Sequence, residues 1–227
     1  MRLYNDDCLN VLSALPTSAK YCIVSDPPFN IGYHYNEYKD NKSESEYYEW
    51  LRVVFESLGS PFVVIHYPES LHRLSVELGY CPDKCISWIY NSMNKKQHRD
   101  ICFYKIAPDL SKVKQPYKNL KDKRILERIA NGSEGADIYD WWYVDMVKNV
   151  SEDKTEHPCQ MPVEIMTNII KCLPEDLVIV DPFMGSGTTG VACDNLGRDF
   201  IGIELDKKYF EIAKNRLEKN NYQMEMF

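Results

Sequence analysis

Two short stretches of this 227-residue chain hold residue types that can do chemistry. The first is Asp26-Pro27-Pro28-Phe29. Two prolines stiffen the backbone and remove two N–H donors, which leaves their carbonyls as fixed acceptors. Asp26 adds a carboxylate and Phe29 a flat apolar face. A planar exocyclic amine suits that set. The carboxylate and a proline carbonyl can each accept one N–H, which aims the nitrogen lone pair at an electrophile. The ring bearing the amine can stack on Phe29, a contact worth about 1–3 kcal/mol per base. The plainer alternative is a Pro-Pro turn after a strand, with Asp26 as a cap. The second stretch runs from Asp181 through Phe183, Gly185, Ser186, Gly187 and Thr188. Its glycines let backbone N–H groups approach a ligand, and the helix expected after them favours negative charge at its start. Glu204 follows at about the 20-residue distance at which an acid meets ribose hydroxyls. The glycine spacing departs from G-x-G-x-x-G, so a nucleoside cofactor is preferred to a dinucleotide. The alternative is a tight turn of any α/β domain.

Both stretches need strands to present them. Leu177–Val180 is rich in branched apolar residues and reads as a buried parallel strand, as do Tyr21–Ser25 and Phe200–Leu205. Leu3–Cys8 is a strand or loop. Asp7–Leu15 has helical apolar spacing and stops at Pro16. Ile31–Ser43 has no period and reads as loop. Glu44–Leu58 is an amphipathic helix. Pro61–Tyr67 contains a strand and Glu69–Leu78 a helix. Cys85–Tyr90 and Ile101–Ile106 read as a hairpin pair across the polar loop Asn91–Asp100. Apolar density then falls, and 107–156 reads as an insertion with local structure of its own rather than core sheet. Its aromatic group, with Trp141 and Trp142, is expected to pack. Pro162–Leu173 and Lys207–Leu217 are helices, and the tail from Glu218 frays. Strands alternating with helices predict an α/β fold, a mostly parallel Rossmann-like sheet flanked by helices. Residues 1–106 and 157–227 form the main domain.

Composition narrows the setting. The hydrophobic fraction of 44% is that of a soluble globular chain. No apolar run reaches the roughly 20 residues that cross a bilayer, and no signal peptide is evident. Eight scattered cysteines form no C-x-x-C pair and no zinc spacing, so free thiols in a reducing cytosol are expected and no metal. The net charge is −7, yet between Lys84 and Arg128 twelve basic residues face four acidic ones, a local excess of +8. That asymmetry is a polyanion footprint or a solvated lysine-rich surface.

Taken together the two stretches strongly resemble the DNA amino-methyltransferases. DPFMGSGTTG resembles their cofactor loop, and DPPF their catalytic [DNS]-P-P-[YFW] tetrapeptide. The order, with the catalytic motif first, then a basic insertion, then the cofactor loop, is that of the β group. NDDCLNVL at 5–12 is similar to the N-terminal G-D-C element, with Asn5-Asp6 where a glycine stands. HPCQMPVEI at 157–165 is similar to H-P-T-Q-K-P-x-E, with Cys159 and Met161 at its Thr and Lys. IGIELDKKYFEIAKNRL resembles the closing strand and helix.

The resemblance implies the class I methyltransferase fold with an inserted target-recognition region at 107–156. It implies S-adenosylmethionine as cofactor and methyl transfer to adenine N6 in duplex DNA by base flipping. Asp at the first catalytic position goes mostly with adenine and Ser with cytosine N4, which stays as an alternative; RNA or a protein glutamine amide is a lesser one. By position, Asp26, Pro27, Pro28 and Phe29 are catalytic. Asp181, Phe183, Gly185, Ser186, Gly187 and Thr188 line the methionine part, Glu204 binds ribose, and Asp7 and Cys8 lie near adenine. His157 and Gln160 close the methionine end, and Asp26 borders the cofactor too. Lys112, Lys114, Lys118, Lys121, Lys123 and Arg124 contact DNA phosphates. Double-stranded DNA is the expected partner, a homodimer is left open, and no membrane is expected. The setting implied is a bacterial, phage or viral host cytosol, and any partner restriction enzyme would be a separate protein. A nicotinamide oxidoreductase would leave DPPF unexplained. A non-catalytic DNA-binding relative would not need Asp26, Phe29, Gly185 and Glu204 intact.

Overall fold

Parallel strands buried on both faces need helices on both sides, and the chain provides them in order. The computed structural model describes residues 1–33, 37–92, 95–147, 155 and 159–224. The elements are β1 (Arg2–Tyr4), α1 (Cys8–Ala14), β2 (Tyr21–Ser25), α2 (Glu44–Glu56), β3 (Phe62–His66) and α3 (Pro68–Leu78). They continue with β4 (Lys84–Ile89), β5 (His98–Tyr104), β6 (Lys114–Gln115), α4 (Lys123–Ala130), β7 (Ala136–Asp137) and β8 (Trp141–Tyr143). The last are α5 (Val163–Lys171), β9 (Val178–Asp181), α6 (Thr188–Asn195), β10 (Phe200–Ile203) and α7 (Lys207–Met224).

The main sheet has the order β1-β10-β9-β2-β3-β5-β4-β8. Strands β1 to β3 in that order are parallel, β5 is antiparallel to both neighbours, and β4 and β8 are parallel. From β9 the chain proceeds outward to β10, and from β2 it proceeds the other way to β3. The boundary between β2 and β9 is therefore a topological switch point, where open α/β sheets leave a crevice at the carboxyl ends of the strands. Both chemistry-bearing stretches begin at those two ends. Ser25 Oγ donates to Asp181 Oδ1 at 2.7 Å and ties them directly.

Local chemistry sets the helices that hold this edge. Asp7 caps α1 by accepting from Leu9 N–H, and Ser43 with Glu46 forms a capping box on α2. One apolar face of the sheet packs on α5 and α6, through residues such as Val24, Ile65, Trp88 and Ile169. The other packs on α1, α2 and α3 through Ile23, Leu51, Phe55 and Leu74. Gly190 on α6 is required by space, since a Cβ there would lie 2.8 Å from Phe200 Cε1. Among the described residues no helix is long and apolar enough to cross a membrane.

Two expectations are corrected. Trp141–Tyr143, read as part of a separate insertion, is the edge strand β8 of the main sheet, in register with Ser87–Ile89. Trp142 is buried there, and Trp88 Nε1–H donates to Val144 O at 2.8 Å, so packing holds for Trp142. Trp141 alternates to the other side and is 43% exposed. The helix expected to end at Leu217 continues as α7 to Met224, so 218–224 is helical rather than frayed.

Candidate active site

The carboxyl ends of β2 and β9 open into a cavity of 310 Å³. Asp26, Pro27, Pro28 and Phe29 form one wall; Asp181, Phe183, Gly185, Ser186 and Thr188 form the floor, with Glu204 at the end of β10. Asp7 and Cys8 border it from the start of α1. Twelve expected site residues therefore meet in one place, although 155 residues separate Asp26 from Asp181 in sequence.

The Asp26–Phe29 stretch is held from behind by the neutral side chains of Tyr47 and His66. Tyr67 N–H donates to His66 Nδ1 at 2.7 Å, so the imidazole proton sits on Nε2. That Nε2–H faces Tyr47 Oη at 3.0 Å, and Tyr47 O–H donates to Pro28 O at 2.5 Å. Burial, with the Arg99 cation next, pushes His66 down to about 3, so the imidazole stays neutral. Asn30 follows with a φ of 54°, and the buried Asp40 carboxylate accepts N–H bonds from Asn30, Ile31 and Tyr33 at 2.8–3.0 Å. Those bonds fix the exit of the loop. Phe29 packs against His66, ring centroids 4.3 Å apart.

Of the carboxylates that line the cavity, Asp26, Asp181 and Glu204 are raised in pKa. Asp26 is pushed to about 7 by burial, and Asp181 adds to this while Arg99 opposes it. Glu204 is also pushed to about 7, by burial first, against the N–H bonds it accepts from Asp206 and Gly185. Those bonds are 2.9 Å each, Oε1 from Asp206 N–H and Oε2 from Gly185 N–H. Asp181 is raised by burial while its bonds from Ser25, Thr189 and Phe183 N–H pull the other way. Burial and neighbouring Asp7 raise the Cys8 thiol to about 12, so it is not a nucleophile.

Other expected residues are placed differently. Ser186 and Thr188 reach the cavity, but Arg216 Nη1 donates to Thr188 Oγ1 at 2.9 Å and to Ser186 O at 3.2 Å, which braces the loop. Gly187, at φ 77°, is the N-cap of α6 and packs on Ala213 instead of lining the cavity. Gln160 is buried and accepts Thr155 N–H at 2.7 Å; its neighbours Cys159 and Met161 line the cavity in its place. His157 lies outside the described residues. Sequence reasoning missed Arg99, which reaches the cavity from β5, and the rings of Tyr38 and Trp50, which with the expected Phe183 form an aromatic wall. The apolar period of α2 did mark Trp50, though as core. Among the described residues no group of three His, Cys, Asp or Glu side chains is placed to hold a metal ion.

The basic residues of 107–147 are exposed. Lys114 pairs with Asp137 at 2.5 Å and Arg124 with Asp122 at 2.8 Å. Lys118 lies over the rings of Tyr139 and Trp141, at 5.2 and 5.6 Å. Lys112, Lys121 and Lys123 make no ion pair among the described residues.

A family model described as "DNA methylase" matches residues 21–215. The Type II methyltransferase M.ScaI of Streptomyces caespitosus is 31% identical, over 95% of this chain and 81% of its own. The DNA adenine methyltransferase YhdJ of Escherichia coli K12 is 26% identical, over 95% and 82%. Among solved structures, the M1.HpyAVI–SAM complex superposes with a TM-score of 0.64 at 25% identity, covering 95% of this chain and 98% of that one.

Proposed function

The chain belongs to the DNA methylase family, and on that footing we propose that it methylates the exocyclic N6 of an adenine flipped out of duplex DNA. The methyl donor is S-adenosylmethionine, which supplies an electrophilic methyl on a sulfonium. The observation that carries the reading is the meeting of Asp26 and Phe29 with Gly185 and Glu204 in one cavity. A cationic cofactor fits these residues, because burial disfavours the charged form of Asp26, Asp181 and Glu204, Asp181 adds repulsion toward the other two, and a cation beside them favours their ionised forms. Glu204 would hold the ribose hydroxyls, the Gly185 backbone would border the methionine part, and Tyr38, Trp50 and Phe183 offer flat faces for the adenine.

In a duplex the target amine is hidden in the stack, so the base must leave it at a cost of a few kcal/mol. Phe29 then takes one face of the base. Asp26 and the Pro27 carbonyl accept the two amine N–H bonds, which turns the nitrogen lone pair away from the ring plane and toward the methyl. Transfer would form the N–C bond as the donor's S–CH3 bond breaks and its sulfur leaves as a neutral thioether; the amine nitrogen would become cationic and acidic, and Asp26 would accept one of its protons. A carboxylate near pKa 7 can receive that proton and return it to water. Asp26 as first residue of the tetrapeptide, together with the likeness to YhdJ, supports adenine over cytosine.

The exposed lysines of 107–147 are the phosphate-contacting surface in this reading, with β8 joining that region to the sheet. The free cysteines and the bacterial relatives support a bacterial cytosol. The deciding experiment is transfer of labelled methyl from S-adenosylmethionine to genomic DNA, followed by nucleoside analysis. N6-methyl-2′-deoxyadenosine is expected; label on cytosine N4, or on RNA or protein alone, would replace the assignment. Asp26→Ala should abolish transfer and leave cofactor binding nearly intact.

A further inference from the structure

The reading above leaves open how a carboxylate as enclosed as Asp26, 14% exposed in its side chain, stays ionised enough to accept a hydrogen bond. The geometry points to Arg99 as its positioning residue: the guanidinium holds Oδ2, and Oδ1 is left as the acceptor for the target amine. This rests on the proposed methyl transfer. Arg99 sits at the start of β5, opposite Trp88 in the ladder, and is 9% exposed. Its Nη1 is 3.5 Å from Asp26 Oδ2, whereas Asp26 Oδ1 is buried with no hydrogen-bond partner among the described residues. One oxygen is thus held and the other presented. Aromatic rings fix the guanidinium in turn, with its central carbon 4.6 Å from the Phe29 centroid and 5.5 to 5.9 Å from those of Trp88, Tyr67 and Tyr90. Only a planar, delocalised cation packs against several rings while pointing an N–H at a carboxylate; a lysine ammonium does not.

The groups around Asp26 make this cation necessary. From β9 the Asp181 carboxylate repels it. From α2 and the end of β4, Tyr47 and Tyr90, the residue after that strand, face it as neutral phenols, and His66 on β3 is neutral. Arg99 is the one group favouring the charged form against burial and Asp181. An opposite charge within about 4–6 Å lowers a carboxylate by roughly 1–3 pH units, so without Arg99 the acid form dominates at neutral pH. A protonated Asp26 offers Oδ1 or Oδ2 as a donor, and a donor repels the amine.

The test compares wild type, Arg99→Lys and Arg99→Met by two readouts. The first is the pH profile of kcat for methyl transfer. The second is direct titration of the Asp26 carboxyl by carbon NMR in the free protein, assigned with Asp26→Asn. For Arg99→Met the Asp26 midpoint and the acid limb of kcat should both move up by about 1–3 pH units, with activity recovering at high pH. Arg99→Lys should fall between, and S-adenosylmethionine affinity should change less than threefold in either variant. A kcat lowered by one factor at every pH, with an unmoved midpoint, would mean that Arg99 only packs. A higher kcat in Arg99→Met would mean that it competes with the base for Phe29; either result overturns the proposal. If wild type methylates no DNA, the proposed function fails, while the NMR titration still decides what Arg99 does to Asp26.

Discussion

Glu204→Gln tests the cofactor end of the site in a way that the structure makes quantitative. The Glu204 carboxylate accepts Gly185 N–H and Asp206 N–H at 2.9 Å each, so it stitches the glycine loop to the end of β10. Burial lifts it from an ordinary 4.5 to about 7. A displacement of that size corresponds to about 3 kcal/mol. The sign follows from the direction. A raised acid favours folding fully below the unfolded value and loses that contribution as pH rises through about 7. The free protein therefore carries a buried, costly carboxylate above neutrality, and ribose hydroxyls donating to it offset part of the cost. Wild-type affinity for adenosine, which carries no charge of its own, should rise between about pH 6 and about pH 8. In the glutamine variant one amide oxygen must serve where two carboxylate oxygens did, and the charge is gone. S-adenosylmethionine affinity should fall by about 1.5–3 kcal/mol, a hydrogen bond to a charged group, or roughly 10- to 150-fold. The adenosine rise with pH should flatten. Isothermal titration at both pH values, with a thermal melt to confirm folding, reads all of this. Wild-type affinity retained in Glu204→Gln above neutrality, or no pH dependence of adenosine binding in wild type, would refute the reasoning.

The remaining expectations concern the walls of the site. Tyr47→Phe keeps the ring but strips the Pro28 carbonyl of its donor. It should lower stability by about 1–3 kcal/mol and reduce kcat at every pH without moving the acid limb; an unchanged kcat by steady-state assay would count against the relay. Gly185→Val places a branched side chain at φ 50° beside the ligand and should abolish cofactor binding by calorimetry. Replacing Lys112, Lys121 and Lys123 with alanine should lower the slope of log DNA affinity against log salt by roughly 2.7, at about 0.9 per phosphate contact. The preferred site should stay the same, and an unaltered slope would put the DNA on another face.

The fold was legible where residue type and backbone are locally tied. Branched apolar runs ending in Asp26 and Asp181 mark buried parallel strands, and the glycines and prolines after them announce turns. What escaped was set by pairing between distant strands. Arg99 was one charge in a basic stretch, and it meets Asp26, 73 residues away, only because β5 pairs with β3. Strand β8 is three residues long in a stretch of low apolar density. The signal that could have found it is the alternation of buried Trp142 and Val144 with exposed Trp141 and Tyr143. Tyr47 was visible as a core position of α2, but its hydroxyl bond to Pro28 depends on a loop that no helical period describes.

Asp26, Asp181 and Glu204 show why carboxylates of one cavity diverge in role, although each of these begins as a buried acid at or near a strand end. Asp181 is satisfied from within the protein, by two hydroxyls and a backbone N–H. Three donors from three segments hold it, so it joins β2, β9 and α6 and sets the field its neighbours feel. Glu204 has one backbone N–H on each oxygen and keeps acceptor capacity on both, which matches a pair of vicinal hydroxyls. Asp26 has one oxygen facing a cation and one facing nothing. An unpartnered buried carboxylate oxygen is costly unless something arrives to use it. The partner count on each oxygen thus sorts a structural tie from a cofactor clamp and a substrate acceptor. It also predicts the order of sensitivity. Asp181→Asn should cost stability first, Glu204→Gln cofactor affinity, and Asp26→Asn turnover alone, as read by thermal melt, calorimetry and methyl transfer on the same three proteins.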